Sequence, residues 1–177
     1  MTIELIRPTA DLYSSWAAAV TEFDGVHIDG SGLQAPVVPG HVTLDGLIEK
    51  ATLLADTTAE LPEDSVHNDL YWIVDDDGEV VGFLSFRHTL NEWLREAGGH
   101  IGYAVRPSRR RQGYASRALA LALDRAREIG LDRVLITCDD DNVASARTIE
   151  GAGGVLQDVS DQTERGHALL RRYWVAL

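Results

Sequence analysis

A strand–turn–helix segment at residues 100–119 limits the possible folds more than any other stretch of this 177-residue chain. The apolar and aromatic residues Ile101 to Val105 predict a strand. Pro107 ends it, because proline lacks an N–H and disfavours helical angles at the preceding Arg106. Gly113 then leads into a helix predicted to run to about Glu128, with an apolar face at helical spacing. A strand that leads directly into a helix is typical of an α/β fold.

The turn between this strand and helix is predicted to bind an anion. Arg106, Arg109, Arg110 and Arg111 lie within six positions, although the whole chain has 28 acidic against 16 basic residues and a net charge of −12. A helix N-terminus presents free N–H groups and the positive end of its dipole, which favour phosphate. Gly113 has no Cβ and allows close approach of a ligand to the backbone. The alternative interpretation is a solvated basic turn.

The other elements follow from hydrophobic periodicity and from Gly and Pro positions. Together they predict an α/β fold in which a mixed, mostly antiparallel central sheet is flanked by helices, in one domain over residues 1–177. The predicted elements are strand Ile3–Ile6, helix Ala10–Phe23, loop 24–40, helix Val42–Ala55, strands Leu70–Val74 and Glu79–Phe86, helical turn Asn91–Glu96, strand Val134–Cys138, helix Val143–Glu150, and strands Val155–Val159 and Ala168–Val175. The long loop 24–40 either covers a pocket or only connects two helices.

The amino-acid composition indicates in which cellular environment the protein works and which binding partners are expected. The only cysteine, Cys138, excludes an internal disulfide and fits a cytoplasmic location, and its position in an apolar strand indicates a buried side chain rather than a nucleophile. No apolar run is long enough to span a bilayer, and no signal peptide is recognised. A chain this acidic is not expected to bind nucleic acid non-specifically. Either a monomer or a homodimer is compatible with the sequence.

The residues Arg110-Arg111-Gln112-Gly113-Tyr114-Ala115 fit the pattern R/Q-x-x-G-x-G/A, with Val105-Arg106-Pro107 before them. This segment resembles the acetyl-CoA pyrophosphate loop of the GNAT superfamily of N-acetyltransferases. The resemblance covers about residues 70–155 and implies a single GNAT domain. Its N-terminal strand and helices would occupy residues 1–65, its acetyl-CoA-binding core 66–155 and its C-terminal strands 156–177. The implied fold is that of the acyl-CoA N-acyltransferases, and the implied acyl donor is acetyl-CoA.

The resemblance also implies where the cofactor binds. Pantetheine would lie in a gap between the strands that end at Val105 and Cys138, and the diphosphate would contact the N–H groups of Arg111 to Ser116. Asn142 either contacts the cofactor or caps the following helix, and Ser145 would assist it. The implied cofactor-binding residues are Tyr103, Ala104, Val105, Arg110, Arg111, Gln112, Gly113, Tyr114, Ala115, Ser116, Asn142 and Ser145.

The expected acid and base of the family are missing from this sequence. Many members carry a tyrosine seven residues after the asparagine, where this chain has Ile149, and the usual glutamate positions hold Gly99, Ile101 and Thr137. His100 is the candidate base, because its ordinary pKa suits proton transfer. A structural histidine at a strand end is the alternative. The weaker candidates are Arg87 and His88, which face either solvent or the acceptor, Tyr103, for which core packing is an equally good interpretation, and Glu96 and Tyr173, for which a solvated loop residue and a packed residue are the simpler interpretations. A water relay without one essential acid is also compatible.

The sequence therefore predicts acetyl transfer from acetyl-CoA to a primary amine of a small molecule or peptide, by direct attack of the amine. The acidic surface would attract a cationic acceptor. An acyl-CoA-binding regulatory domain that has lost chemistry is the alternative within the same fold. A dinucleotide enzyme is disfavoured, because no G-x-G-x-x-G follows the first strand. No metal site is predicted, since residues 139–141 lack calcium-loop spacing and fit a helix start better.

Overall fold

The computed structural model describes residues 2–165 and 169–177. Its helices and strands follow the predicted order closely, and short 3₁₀ or π-helical turns occur at Ala10–Leu12, Leu94–Gly98, Pro107–Arg109 and Thr163–Arg165. In chain order the elements are β1 Ile3–Ile6, α1 Tyr13–Thr21, α2 His41–Ala55, β2 Asn68–Asp75, β3 Val80–Arg87, β4 Ile101–Val105, α3 Tyr114–Glu128, β5 Arg133–Asp139, α4 Val143–Gly151, β6 Val155–Asp161 and β7 Leu169–Ala176.

The strands form two antiparallel sheets that meet at β4 and β5. The first sheet has the order β1-β2-β3-β4 and the second the order β5-β7-β6. The helix α3 connects the two, so the chain crosses from one sheet to the other directly after the arginine-rich turn. The prediction of an α/β fold with mostly antiparallel strands and flanking helices is confirmed. The structure adds that the sheet is divided, because β4 and β5 are not paired along their length.

Two apolar clusters cover opposite faces of the first sheet. One lies under α1, α2 and the loop 24–40, where Trp16 and Trp72 stack at 6.2 Å between ring centroids. The other lies between the sheets and α3 and α4, and includes Ile101, Leu119 and Ile149. Burial of these large side chains is the main stabilising contribution, at about 25 cal/mol per Å² of apolar surface removed from water.

The junction between the two sheets is formed by His100, which directly precedes β4. Its N–H donates to the carbonyl of Leu135 at 2.7 Å, and its side-chain Nδ1 accepts from the N–H of Leu135 at 2.9 Å. The imidazole Nδ1 therefore accepts a hydrogen bond that a backbone carbonyl would accept if the two strands were paired. Beyond this point the sheet ladder between β4 and β5 is absent from the described residues, so the two strands separate toward their C-terminal ends.

The remaining differences from prediction are at element ends. The first helix begins at Tyr13 rather than Ala10, because Thr9 caps a 3₁₀ turn by accepting from the N–H of Asp11 at 3.3 Å. The last strand was predicted to begin at Ala168, which lies outside the described residues. No helix in the described part of the chain has the length and apolarity that a bilayer crossing needs.

Candidate active site

Along β4, the backbone N–H and C=O groups of every second residue point into the gap between the two sheets. The ladder with β3 is fixed by two hydrogen bonds, from the N–H of Arg87 to the carbonyl of His100 and from the N–H of Arg106 to that of Val81. In an antiparallel pair every second residue bonds the neighbouring strand. Gly102 and Ala104 therefore bond β3, and the N–H and C=O groups of the residues between them face the gap.

Two of the three predicted pantetheine-binding residues thus have backbone groups at the gap, namely Tyr103 and Val105. The third, Ala104, pairs with Phe83 in the ladder, and its backbone groups are used by β3. The carbonyl of Val105 accepts a hydrogen bond from Arg110 Nε at 3.2 Å. Arg110 therefore stabilises the C-terminal end of β4.

The N-terminus of α3 carries a set of unused backbone donors. Gly113 precedes the helix with φ +82°, and its carbonyl accepts the N–H of Arg117 at 3.2 Å, the first bond of the helix. The N–H groups of Tyr114, Ala115 and Ser116 consequently have no acceptor within the helix. Among residues 2–165 and 169–177 no side chain caps this end, so the donors and the helix dipole are available to an anion.

Side chains around these donors differ in their exposure. Gln112, Gly113 and Ser116 are exposed and Ala115 is partly buried. The ring of Tyr114 is buried in the core between the sheets and its hydroxyl donates to Asp75 at 3.5 Å. Tyr114 therefore reaches the anion site through its backbone N–H only.

The four arginines of the turn divide into two structural and two exposed residues. Arg106 pairs with Glu22 of the segment after α1, which also accepts from the N–H of Ser108 at 3.0 Å. Arg109 lies 3.5 Å from Asp75. Arg110 and Arg111 are exposed, so they are the two that can add charge to a bound phosphate. The expectation that all four contribute positive charge is wrong, because two of them are neutralised by carboxylates.

The hydroxyl groups of Tyr103 and Ser145 lie 2.9 Å apart, one on β4 and the other on α4. Burial raises the pKa of Tyr103 to about 12, although its hydrogen bond to Ser145 opposes the change. The phenol therefore stays protonated at neutral pH and can donate a hydrogen bond. Burial also raises the pKa of the neighbouring Cys138 thiol, which agrees with the prediction that this cysteine is not a nucleophile.

Asn142 caps α4, since its Oδ1 accepts the N–H of Ser145 at 3.0 Å. Its side chain is exposed, so the amide NH₂ remains accessible from solvent. Ile149 is fully buried in the core, and its hydrocarbon side chain has no proton to donate.

His100 is held as a structural residue. It is 6 % exposed, and burial lowers its pKa to about 4, although the hydrogen bond from Leu135 opposes that change. A histidine that is neutral at pH 7 and whose Nδ1 already accepts a backbone N–H is a poor base for an incoming amine. The structure favours the structural interpretation of His100 over the catalytic one.

The weaker candidates are also engaged in contacts. Glu96 pairs with Arg172 at 3.2 Å, and the buried Tyr173 donates to a carboxylate of α4. His88 hydrogen-bonds the buried Asp69 at 3.0 Å. Arg87 donates to the carbonyl groups of residues 98 and 99 at 3.3 and 3.1 Å and so lies at the junction of the sheets.

A groove of about 370 Å³ runs between α3 and α4 from the anion site. Ser116 lies at its α3 end, and Arg127, Arg147 and Thr148 line its sides. Through Ser116, this groove borders the free N–H donors at the start of α3.

Comparisons with known proteins agree with this geometry. Residues 46–153 match the acetyltransferase (GNAT) family model, which is more than half of the chain. The chain therefore belongs to the acetyltransferase (GNAT) family. No curated protein matches the sequence.

Three solved structures show the same fold. RimL, a ribosomal L7/L12 alpha-N-protein acetyltransferase in complex with coenzyme A, is 23% identical with TM-score 0.73, over 100% of this chain and 95% of that one. The Salmonella typhimurium acetyltransferase that modifies the N-terminal serine of L7/L12 is 22% identical with TM-score 0.69, over 100% and 96%. The microcin C7 self-immunity acetyltransferase MccE, in complex with acetyl-CoA and AMP, is 15% identical with TM-score 0.71, over 99% and 92%.

The contacts that sequence reasoning did not predict are long-range. Glu22 holds the arginine-rich turn from 84 positions away, and the hydroxyl pair of Tyr103 and Ser145 spans 42 positions. No local pattern indicates such a contact, because the residues meet only after both sheets have formed. The sequence did predict that Tyr103 lies in the strand beside the gap and that Ser145 lies in the helix that follows Asn142.

Proposed function

We propose that the protein is an acetyl-CoA-dependent N-acetyltransferase that acetylates a primary amine of a small molecule or peptide by direct attack. The observation that carries this proposal is the set of unbonded N–H groups at the start of α3, adjacent to the free backbone edge of β4. Diphosphate oxygens suit the helix N-terminus, and pantetheine amides suit the exposed strand edge. Coenzyme A contains both groups.

The reaction requires the acceptor ammonium to lose a proton to solvent. The neutral amine nitrogen then bonds the acetyl carbon, the carbon–sulfur bond breaks, the nitrogen releases its second proton to solvent, and the thiolate takes up one proton to become the free thiol of coenzyme A. A backbone N–H of β4 that faces the gap, such as that of Tyr103, can polarise the carbonyl oxygen. The activated acyl group is supplied by the bound thioester.

We further propose that the hydroxyl pair of Tyr103 and Ser145 donates a hydrogen bond to the leaving thiolate. Support comes from their 2.9 Å contact, their position across the gap and the protonated state of the phenol at neutral pH. A thiol has a pKa of about 8.5, well below that of this phenol, so the pair stabilises the charge that develops on sulfur by donating a hydrogen bond, and the thiolate takes its proton from solvent. The pair would replace the tyrosine that position 149 lacks.

The alternative, a regulatory domain that binds acyl-CoA without chemistry, is favoured by Ile149 and by the structural role of His100. Thiol release from acetyl-CoA with a panel of amines and N-terminal peptides distinguishes the two. Release that depends on an amine, with the acetylated product seen by mass spectrometry, supports the enzyme. Tight coenzyme A binding with no acetylated product from any acceptor would instead establish the regulatory domain.

The variant Tyr103→Phe tests this hydrogen bond. It keeps the ring and removes only the hydroxyl, so we expect kcat to fall by about tenfold to a hundredfold, as for a lost hydrogen bond to a charged group. The affinity for coenzyme A should stay within twofold, because the backbone donors are unchanged. If kcat were unchanged in both Tyr103→Phe and Ser145→Ala, the hydroxyl pair would not be the group that donates to the leaving thiolate.

A further inference from the structure

Glu22, which directly follows α1, holds the turn that leads from β4 to the anion site. Its Oε1 accepts hydrogen bonds from Arg106 Nε and from the hydroxyl of Ser108, and its Oε2 accepts the backbone N–H of Ser108 at 3.0 Å. The side chain is partly buried, at 28% exposure. Burial alone would raise the pKa of Glu22, but these hydrogen bonds outweigh it and lower the pKa, so the carboxylate is ionised at neutral pH.

The segment between Ser108 and α3 has an unusual backbone. Arg111 has φ +61° and Gly113 has φ +82°, so two of the residues just before the helix adopt the left-handed conformation. That conformation is unfavourable for arginine, which has a Cβ, and it persists only where the flanking structure fixes the chain. On one side the helix α3 fixes it, and on the other the carboxylate of Glu22 holds the N–H of Ser108. The shape of the anion site therefore depends on a residue outside its own segment.

A neutral amide cannot make the same contacts as this carboxylate. Three donors meet the two oxygens, and neither Arg106 Nε nor the N–H of Ser108 can accept a hydrogen bond. In Glu22→Gln an NH₂ group replaces one oxygen, so whichever way the amide is turned it faces one of these two N–H groups. The variant therefore keeps the size of the side chain and loses at least one of its fixed contacts.

We propose that Glu22 is a positioning residue for coenzyme A, because it fixes the turn and so prepares the N–H groups at the start of α3 for the diphosphate. This inference rests on the proposed function and adds a residue outside the sequence motif to the same site. Glu22 acts through the turn and does not itself touch the ligand.

The proposal predicts an effect on affinity that is opposite in sign to the effect of charge alone. Coenzyme A is an anion, so removal of a negative charge and release of Arg106 from its carboxylate would favour binding electrostatically. Loss of the fixed turn disfavours binding, because the turn must then be ordered when the ligand binds. The sign of the change in affinity therefore separates the two effects.

The test measures the dissociation constant of coenzyme A by isothermal titration calorimetry, and KM and kcat for acetyl-CoA with an amine that the wild type acetylates. The variants are Glu22→Gln and Glu22→Asp, of which the second keeps both oxygens and the charge on a side chain that is one methylene shorter. Glu128→Gln is the matched control, because it removes the same charge from an exposed ion pair with Arg125 at the far end of α3. Thermal unfolding establishes that each variant is folded at the assay temperature.

In Glu22→Gln we expect the dissociation constant of coenzyme A and the KM for acetyl-CoA to rise by about threefold to tenfold, the effect of roughly one hydrogen bond. The kcat at saturating acetyl-CoA should stay within twofold. Glu22→Asp should fall between Glu22→Gln and the wild type, and Glu128→Gln should bind coenzyme A as the wild type does. A merely structural role would instead reduce the fraction of protein that binds and lower kcat, with both constants unchanged.

Unchanged or tighter binding of coenzyme A in Glu22→Gln, a lower kcat at unchanged KM, or an equal loss of affinity in Glu128→Gln would overturn the inference while leaving the acetyltransferase proposal intact. If Glu22→Asp bound coenzyme A no more tightly than Glu22→Gln, the inference would also be overturned. A wild type that does not bind coenzyme A would remove the proposed function and this inference together.

Discussion

Gly113→Ala tests the anion site with a change of one methyl group. Gly113 has φ +82°, and an added Cβ would lie 3.0 Å from the flexible end of Arg117. Gly113 is exposed and the Arg117 side chain can move aside, so the fold accommodates the methyl group, while the left-handed backbone costs about 1–2 kcal/mol. For a chain of this size such a loss lowers Tm by about 2–8 °C.

Because Gly113 directly precedes the free N–H groups of α3, the added methyl group would also reduce the space for a phosphate that approaches them. Loss of one hydrogen bond to a charged phosphate costs about 1.5–3 kcal/mol, which weakens coenzyme A binding by about tenfold to a hundredfold. Isothermal titration calorimetry with coenzyme A measures this change, and thermal unfolding without ligand measures the strain.

Gly130→Ala is the matched control at the opposite end of α3. Gly130 has φ +84° and open space around the added Cβ, so its substitution imposes a similar backbone strain far from the anion site. We expect the same fall in Tm and an unchanged affinity for coenzyme A. If both variants bound coenzyme A equally well, or both lost affinity equally, the placement of the diphosphate at Gly113 would be refuted.

Two further predictions separate structural from binding residues. Arg109→Ala should lower stability by about 1 kcal/mol, since it leaves the buried Asp75 without this cation, and should change coenzyme A affinity by less than twofold. Arg111→Ala should weaken coenzyme A binding by up to about fivefold, more at low salt, with little change in Tm; the opposite pattern would contradict the assignment. The pKa of His100 is 6.5 when unfolded and about 4 when folded, so the unfolded state takes up its proton first as pH falls. The free energy of unfolding should fall by up to about 3 kcal/mol between pH 7 and pH 4. Urea unfolding of His100→Gln should show this pH dependence removed; if it remains, another group is responsible.

The elements that sequence reasoning predicted well are those fixed by local chemistry. Pro107 ends β4, and Gly113 precedes α3 because its backbone adopts φ +82° there. The apolar run in β5 predicts a strand that is buried in the structure. Ile149 was also predicted to lack the expected chemistry, and its side chain lies in the core.

The parts that could not be predicted depend on tertiary contacts. A cluster of arginines indicates positive charge, but the carboxylates of Glu22 and Asp75, which neutralise two of them, come from distant segments. His100 has the ordinary pKa of a base only while it is exposed to water. Folding buries it and engages Nδ1 with Leu135, and both effects follow from the packing of two sheets against each other.

A crystal structure with coenzyme A bound tests the central claim most directly. We predict diphosphate oxygens within hydrogen-bonding distance of the N–H groups of Tyr114, Ala115 and Ser116, and pantetheine along the backbone of Tyr103 and Val105. A ligand bound elsewhere, with these backbone donors facing only solvent, would contradict the account.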